Sequence, residues 1–256
     1  MGLCKHRLRK GAKEMLRRKN KKAKEVKNTR PDICLSLDCD NMEELKAEIE
    51  KYKDYCRYVE WQMDKVAEKP FFNKEFFIGA IWEIKRQFPG KKIMISYRGA
   101  GPKGSRILNW AINCADMVCI KYNDPTVREL LRSARIKGTP SIVSFRSFNK
   151  MPSREDLATI YVKMERLGGD ILELACFAEN EVQTYAILQA AESYQQLRNH
   201  KPLIVVAMGE EGQASRVCAG DFGSIITYAC GSQPTAPGQI NARDLSKYLD
   251  IYYERK

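Results

Sequence analysis

The chain has 256 residues, 44% of them hydrophobic and 9% aromatic, which is enough for one large core or two small ones and excludes an intrinsically disordered protein. It contains no run of about eighteen uncharged apolar residues, and its basic N-terminus lacks the apolar stretch of a secretory signal, so the expectation is a cytoplasmic protein without a membrane span. The formal net charge of +12 is concentrated at one end: residues 1–31 hold thirteen Lys or Arg against two Glu, and the remainder is nearly neutral.

That first segment, MGLCKHRLRKGAKEMLRRKNKKAKEVKNTRP, is rich in helix formers but has too few apolar residues to cover a core face. It reads as a solvated extension, flexible or partly helical, whose cations suit a salt-dependent contact with a polyanion. From residue 32 onward, short apolar runs alternate with longer stretches of helical period. The runs are Ile33–Leu37, Tyr58–Met63, Lys92–Tyr97, Met117–Tyr122, Ser141–Phe145, Ile171–Cys176, Leu203–Met208 and Ser224–Ala229. Between them lie segments such as NMEELKAEIEKYKDYC, FFNKEFFIGAIWEIKRQF, DPTVRELLRSARI, SREDLATIYVKMERLGG and ENEVQTYAILQAAESYQQL, with apolar residues three and four apart. Ser153 with Asp156 opens one helix as a capping box, and Gly168-Gly169 closes it.

Repeated strand–helix units with strands apolar on both faces predict one α/β domain over residues 32–256, a (β/α)8 barrel. No GxGxxG or GxxxxGK[ST] follows a strand, which argues against dinucleotide-binding and P-loop folds. The nine cysteines include no CxxC pair and sit mostly inside apolar runs, so they read as reduced core residues, with no metal site and no cofactor implied.

In such a barrel the site lies at the C-terminal ends of the strands. Glu60 and Gln62 stand on strand two, Arg98 follows strand three, Lys121 is late on strand four and Arg146 follows strand five. Glu173 lies inside strand six, Met208 ends strand seven, and Tyr228 is late on strand eight. A charge inside an apolar strand needs a partner. Because alternate strands fill one layer, Glu60, Lys121, Glu173 and Tyr228 are expected to form one cluster, either an ion-pair network plugging the barrel or a ligand site. His6 and His200 both lie away from the expected mouth, which leaves acid–base work to Glu, Lys or Tyr. Arg216, in GEEGQASR, suits a carboxylate clamp, and the Ser232–Gln239 loop has the Pro and Gly content of a lid.

The segments AMGEEGQASR, FGSIITYA and TAPGQINARDL, with YVEWQMD and ISYRGA upstream, resemble the type I 3-dehydroquinate dehydratases in order and spacing from about Asp32 to the end. The resemblance implies a small polyhydroxy carboxylate as ligand and a homodimer. It assigns Glu60 to a ligand hydroxyl, Arg98 and Arg216 to hydroxyls and carboxylate, Tyr228 and Met208 to the pocket wall, and Thr235 with Gln239 to the lid. It also implies a strand-six lysine that forms an imine with the substrate ketone and a strand-five histidine that moves the proton.

At those two positions this sequence has Glu173 and Arg146, and Gln62 stands where the family has an arginine. A carboxylate forms no imine, and a guanidinium with a pKa above about 12 is no general base. On strand four, Cys119 and Lys121 replace family acids, as though lysine and glutamate had exchanged strands. The expectation is therefore a catalytically inactive or altered binding homologue. The alternatives are a lyase acting on 3-dehydroquinate or a related keto acid with Lys121 as the relocated amine, and a scaffold whose basic tail binds polyanions.

Overall fold

The structure is a computed structural model and describes residues 29–99, 101–197 and 199–254. The basic segment up to residue 28, with its expected polyanion contact, lies outside the described residues. The apolar runs form the strands β1 (Asp32–Leu37), β2 (Tyr58–Gln62), β3 (Lys92–Ser96), β4 (Met117–Lys121), β5 (Ser141–Ser147), β6 (Ile171–Phe177), β7 (Leu203–Met208) and β8 (Ile226–Cys230). The helices are α1 (Met42–Tyr52), α2 (Lys74–Gln87), α3 (Pro102–Ile112), α4 (Val127–Lys137), α5 (Arg154–Leu167), α6 (Glu181–Gln195), α7 (Gln213–Cys218) and α8 (Ala242–Tyr253).

Side-chain acceptors start several of them: Asn41, Asn73, Ser153 and Asn180 each accept from the backbone N–H three residues on. Ser153 and Asp156 pair as expected, and Gly168 ends α5 in the left-handed conformation at φ +90°.

All strands run parallel, β1 to β7 are each bonded to their sequence neighbours, and β1 also pairs β8, giving the order β7-β6-β5-β4-β3-β2-β1-β8. The pleat sorts each strand into two faces. On β1, Ile33, Leu35 and Leu37 pack outward among the helices while Cys34 joins the barrel interior. On β6, Leu172, Leu174 and Cys176 face outward, so parity turns Glu173 inward with Ile171 and Ala175. The alternation that fills the core thus obliges a charge to enter the barrel.

The seam between β7 and β8 closes differently. Ser224 pairs Leu203 as an isolated parallel bridge, and its hydroxyl accepts from the Val205 N–H at 3.1 Å. Ser215 of α7 accepts from the Ala207 N–H at 3.0 Å. Serine side chains therefore satisfy donors on β7 that a full ladder would have paired. This is why β8 begins at Ile226 rather than at Ser224 as the apolar run suggested.

Candidate functional site

At the C-terminal mouth the inward residues of the even strands meet in one layer: Glu60 from β2, Cys119 from β4, Glu173 from β6 and Tyr228 from β8. Lys121 is not in this layer, contrary to the sequence expectation. It lies two residues beyond Cys119, roughly 6.6 Å farther along the strand. At the rim its ammonium donates to the carbonyls of Arg98 and Gly99. The partner of Glu173 is instead Arg146, two residues beyond Ser144 on β5.

The register places Ser144 beside Glu173 and Ser36 beside Glu60. Glu173 accepts from Arg146 Nε at 2.5 Å and Nη2 at 3.2 Å, from Ser144 Oγ at 3.1 Å and from Tyr228 Oη at 2.8 Å. The same Arg146 Nη2 reaches Glu60 at 3.3 Å, and Ser36 Oγ donates to Glu60 at 2.5 Å. One guanidinium thus joins two carboxylates whose side chains are each 1% exposed. Burial alone would raise the Glu60 carboxyl, but Arg146 and the Ser36 hydroxyl outweigh it and hold the group below its ordinary range. Burial disfavours the charged Arg146, yet Glu173 and Glu60 hold its pKa well above the ordinary value. Tyr228 is pushed well up by burial and by the two carboxylates, so it stays a hydroxyl donor.

Above this network lies the loop over residues 232–239. Gln239 organises it by accepting from the N–H groups of Thr235 and Ala236 at 2.6 and 3.0 Å. Thr235 Oγ1 meets Gln62 Nε2 at 3.2 Å and Ser36 Oγ at 3.1 Å. Arg98 donates to the Thr235 carbonyl, and its own backbone N–H is held at 2.9 Å by Asp64. Arg216, 2% exposed, donates to the carbonyls of Gly238, Pro237 and Tyr228 at 2.7, 2.9 and 3.1 Å. No carboxylate lies within ion-pair distance of Arg216 among the described residues, and burial pushes its pKa down to about 10.

Every site residue nominated from the sequence lines the axial cavity except Lys121 and Thr235, and Thr235 touches that cavity's Gln62 and Ser36. What sequence reasoning missed were Ser36 and Ser144, serines inside the apolar runs DICLSL and SIVSFRS. A small hydroxyl in register with a strand carboxylate was the available signal. The cavity's free volume is about 30 Å3, and a single water requires about 10–15 Å3 on this measure. Ala236 and Gln239 of the loop over residues 232–239 form part of its wall.

The model of the type I 3-dehydroquinase family matches residues 33–256. The chain belongs to the type I 3-dehydroquinase family. A 3-dehydroquinate dehydratase of Clostridioides difficile (strain 630) is 25% identical over 243 residues, covering 88% of this chain and 93% of its own length. One from Escherichia coli O157:H7 (strain EC4115 / EHEC) is 26% identical over 238 residues, covering 88% and 94%. Among solved structures, a type I 3-dehydroquinate dehydratase from Clostridium difficile carrying covalently modified comenic acid superposes with a TM-score of 0.80 at 23% identity, covering 89% of this chain and 94% of that one. The 3-dehydroquinate dehydratase from Geobacillus kaustophilus HTA426 gives 0.78 at 22%, covering 88% and 91%. At these identities the superpositions speak for the barrel, and the family assignment rests on the sequence match. No helix among the described residues is long and apolar enough to cross a membrane.

Proposed function

We propose that this member of the type I 3-dehydroquinase family binds a small polyhydroxy carboxylate without dehydrating it through an imine. The observation that carries the reading is the Glu173 carboxylate at the barrel axis, engaged by Arg146, Ser144 and Tyr228, in a cavity that no lysine lines among the described residues. Imine chemistry needs a neutral amine within reach of the ketone, and the axial layer offers only carboxylates, a guanidinium, hydroxyls and a buried thiol. Arg146 cannot shuttle a proton near neutral pH, since its carboxylate partners hold the proton on.

The binding half of the site supports retained recognition. Glu60 accepts hydroxyls, and Arg98 and Arg216 are cations whose side-chain acceptors are neutral carbonyls that a carboxylate ligand can displace. The test pairs two measurements on purified protein. Titration with dehydroquinate is expected to give a binding isotherm, while the ultraviolet absorbance of the conjugated product stays at the uncatalysed rate. Turnover by the unmodified protein would refute the reading. A Glu173→Lys, Arg146→His double variant that gains turnover would strengthen it, because the pocket would then still recognise that substrate.

The basic segment over residues 1–31 is proposed as a separate polyanion-binding arm. Deleting residues 1–30 is expected to abolish salt-dependent retention on a polyanion column, and unchanged retention would discard the arm.

A further inference from the structure

Beside the axial cavity, between the ends of β3, β4 and β5, lies a larger cavity of about 290 Å3. That is close to the lower bound of about 300 Å3 for small-molecule sites. The same displacement that removed Lys121 from the axial layer brings it here. Arg98 and Arg146 also line the cavity, and no acidic side chain does among the described residues.

The three cations are not equivalent. Arg146 is neutralised by Glu173 and Glu60 on its other side. Among the described residues, Lys121 donates only to the carbonyls of Arg98 and Gly99, and the Arg98 guanidinium only to that of Thr235. Neither Lys121 nor Arg98 forms an ion pair within 4.0 Å among the described residues, and no acidic side chain lines the cavity to repel an anion placed there.

Tyr97, Tyr122, Phe145 and Phe148 give the wall four aromatic rings, and Ser96, Cys119, Asn123 and Ser144 complete it. Tyr122 and Phe145 are tilted against each other with centroids 5.4 Å apart, and the Arg98 guanidinium lies 5.4 Å from the centre of the Phe148 ring. The cavity lacks a carboxylate of the Glu60 kind that would accept several ligand hydroxyls, so its chemistry differs from that of the axial site.

We propose that this cavity is a second ligand seat that takes a single-ring aromatic carboxylate, with its carboxylate on Lys121 and Arg98 and its ring against Phe145, Tyr122 and Phe148. A bare inorganic anion would use the cations and leave the aromatic wall idle. A polyhydroxy acid would set part of its hydroxyls against the ring faces of Phe145 and Phe148, which offer them no acceptor.

The test is calorimetric titration of the full chain with benzoate, run beside cyclohexanecarboxylate, benzamide and inorganic phosphate. Benzoate is expected to bind, and each of the other three to bind about ten-fold more weakly or not at all, since each lacks the charge or the flat ring. Lys121→Met is expected to weaken benzoate by about ten-fold, and Lys121→Arg to stay within about three-fold of the parent. Tyr228→Phe, in the axial network, is expected to leave benzoate binding unchanged. If Lys121→Met does not fold, Phe148→Ala at the exposed rim is expected to weaken binding in its place. Absence of benzoate binding, equal binding of phosphate, or equal loss in Tyr228→Phe would each overturn the proposal. None of these readouts depends on whether dehydratase turnover survives, which the absorbance assay reports separately.

Discussion

Replacing Arg146 by Met tests whether one guanidinium holds the barrel axis together. Glu60 and Glu173 are each buried to 1% exposure, and Arg146 is the only cation within 4.0 Å of either among the described residues. Removing one partner from such a buried cluster costs about 3–5 kcal/mol, because the charges left behind keep their desolvation penalty and lose their compensation. The pH dependence separates this cause from lost packing.

In the parent, Glu60 is held below its ordinary value. Its contribution to stability is therefore present above the unfolded-state value of about 4.3 and is lost only as the pH falls through the lower folded value. In Arg146→Met, burial and mutual repulsion raise the carboxyl values, and the folded state binds more protons than the unfolded one. Stability then falls as the pH rises from the ordinary glutamate value to the raised one, by up to about 1.4 kcal/mol per pH unit for each extra proton held. Urea unfolding at pH 5, 6, 7 and 8 should give a nearly flat parent and a variant that weakens with pH. Adding Glu60→Gln and Glu173→Gln to the variant should flatten it again. Parallel profiles for parent and Arg146→Met would refute the electrostatic account.

Ser215→Ala leaves the Ala207 N–H at the β7–β8 seam without its acceptor, and a loss of about 1–3 kcal/mol in urea unfolding is expected. Gly238→Ala should loosen the lid, since Gly238 has φ +68° and an added Cβ would stand 2.0 Å from the Gly209 carbonyl oxygen; faster proteolysis within residues 232–239 is the readout. Borohydride reduction in the presence of dehydroquinate should leave Lys121 unlabelled by peptide mass analysis, because Lys121 does not line the axial cavity. A labelled Lys121 would favour a lyase with a relocated amine.

The barrel was legible because its strands are apolar on both faces and its helices carry capping residues in sequence, as with Ser153 and Asp156 on α5. The axial site was legible to the extent that parity alone decides direction: Glu60, Glu173 and Tyr228 stand at inward positions whatever the neighbouring strands do. The partner of Glu173 was not legible. Choosing between Lys121 and Arg146 requires the stagger between β4 and β6, which sets Cys119 rather than Lys121 level with Glu173. A strand's sequence fixes which face a residue takes and leaves its height along the barrel axis to tertiary pairing. The placement of the loop over residues 232–239 was hidden for a related reason, since its bonds to Arg98 and Arg216 use backbone carbonyls that every residue possesses.

Those carbonyls set the terms on which the axial site can accept anything. All three guanidinium nitrogens of Arg216 are bonded to carbonyls, whereas Arg98 Nε has no partner among the described residues, so on the proposed function a ligand carboxylate competes with the loop chiefly at Arg216. If the loop bonds together contribute about 2–3 kcal/mol net, the form without them is on the order of 1% of molecules, and apparent affinity falls by the same factor. A polyhydroxy carboxylate compensates by bringing several acceptors for the two arginines and hydroxyls for Glu60 at once, whereas a simple anion replaces only part of what it displaces. On the proposed function, the loop over residues 232–239 therefore discriminates by the number of acceptors a ligand carries, before any question of shape arises.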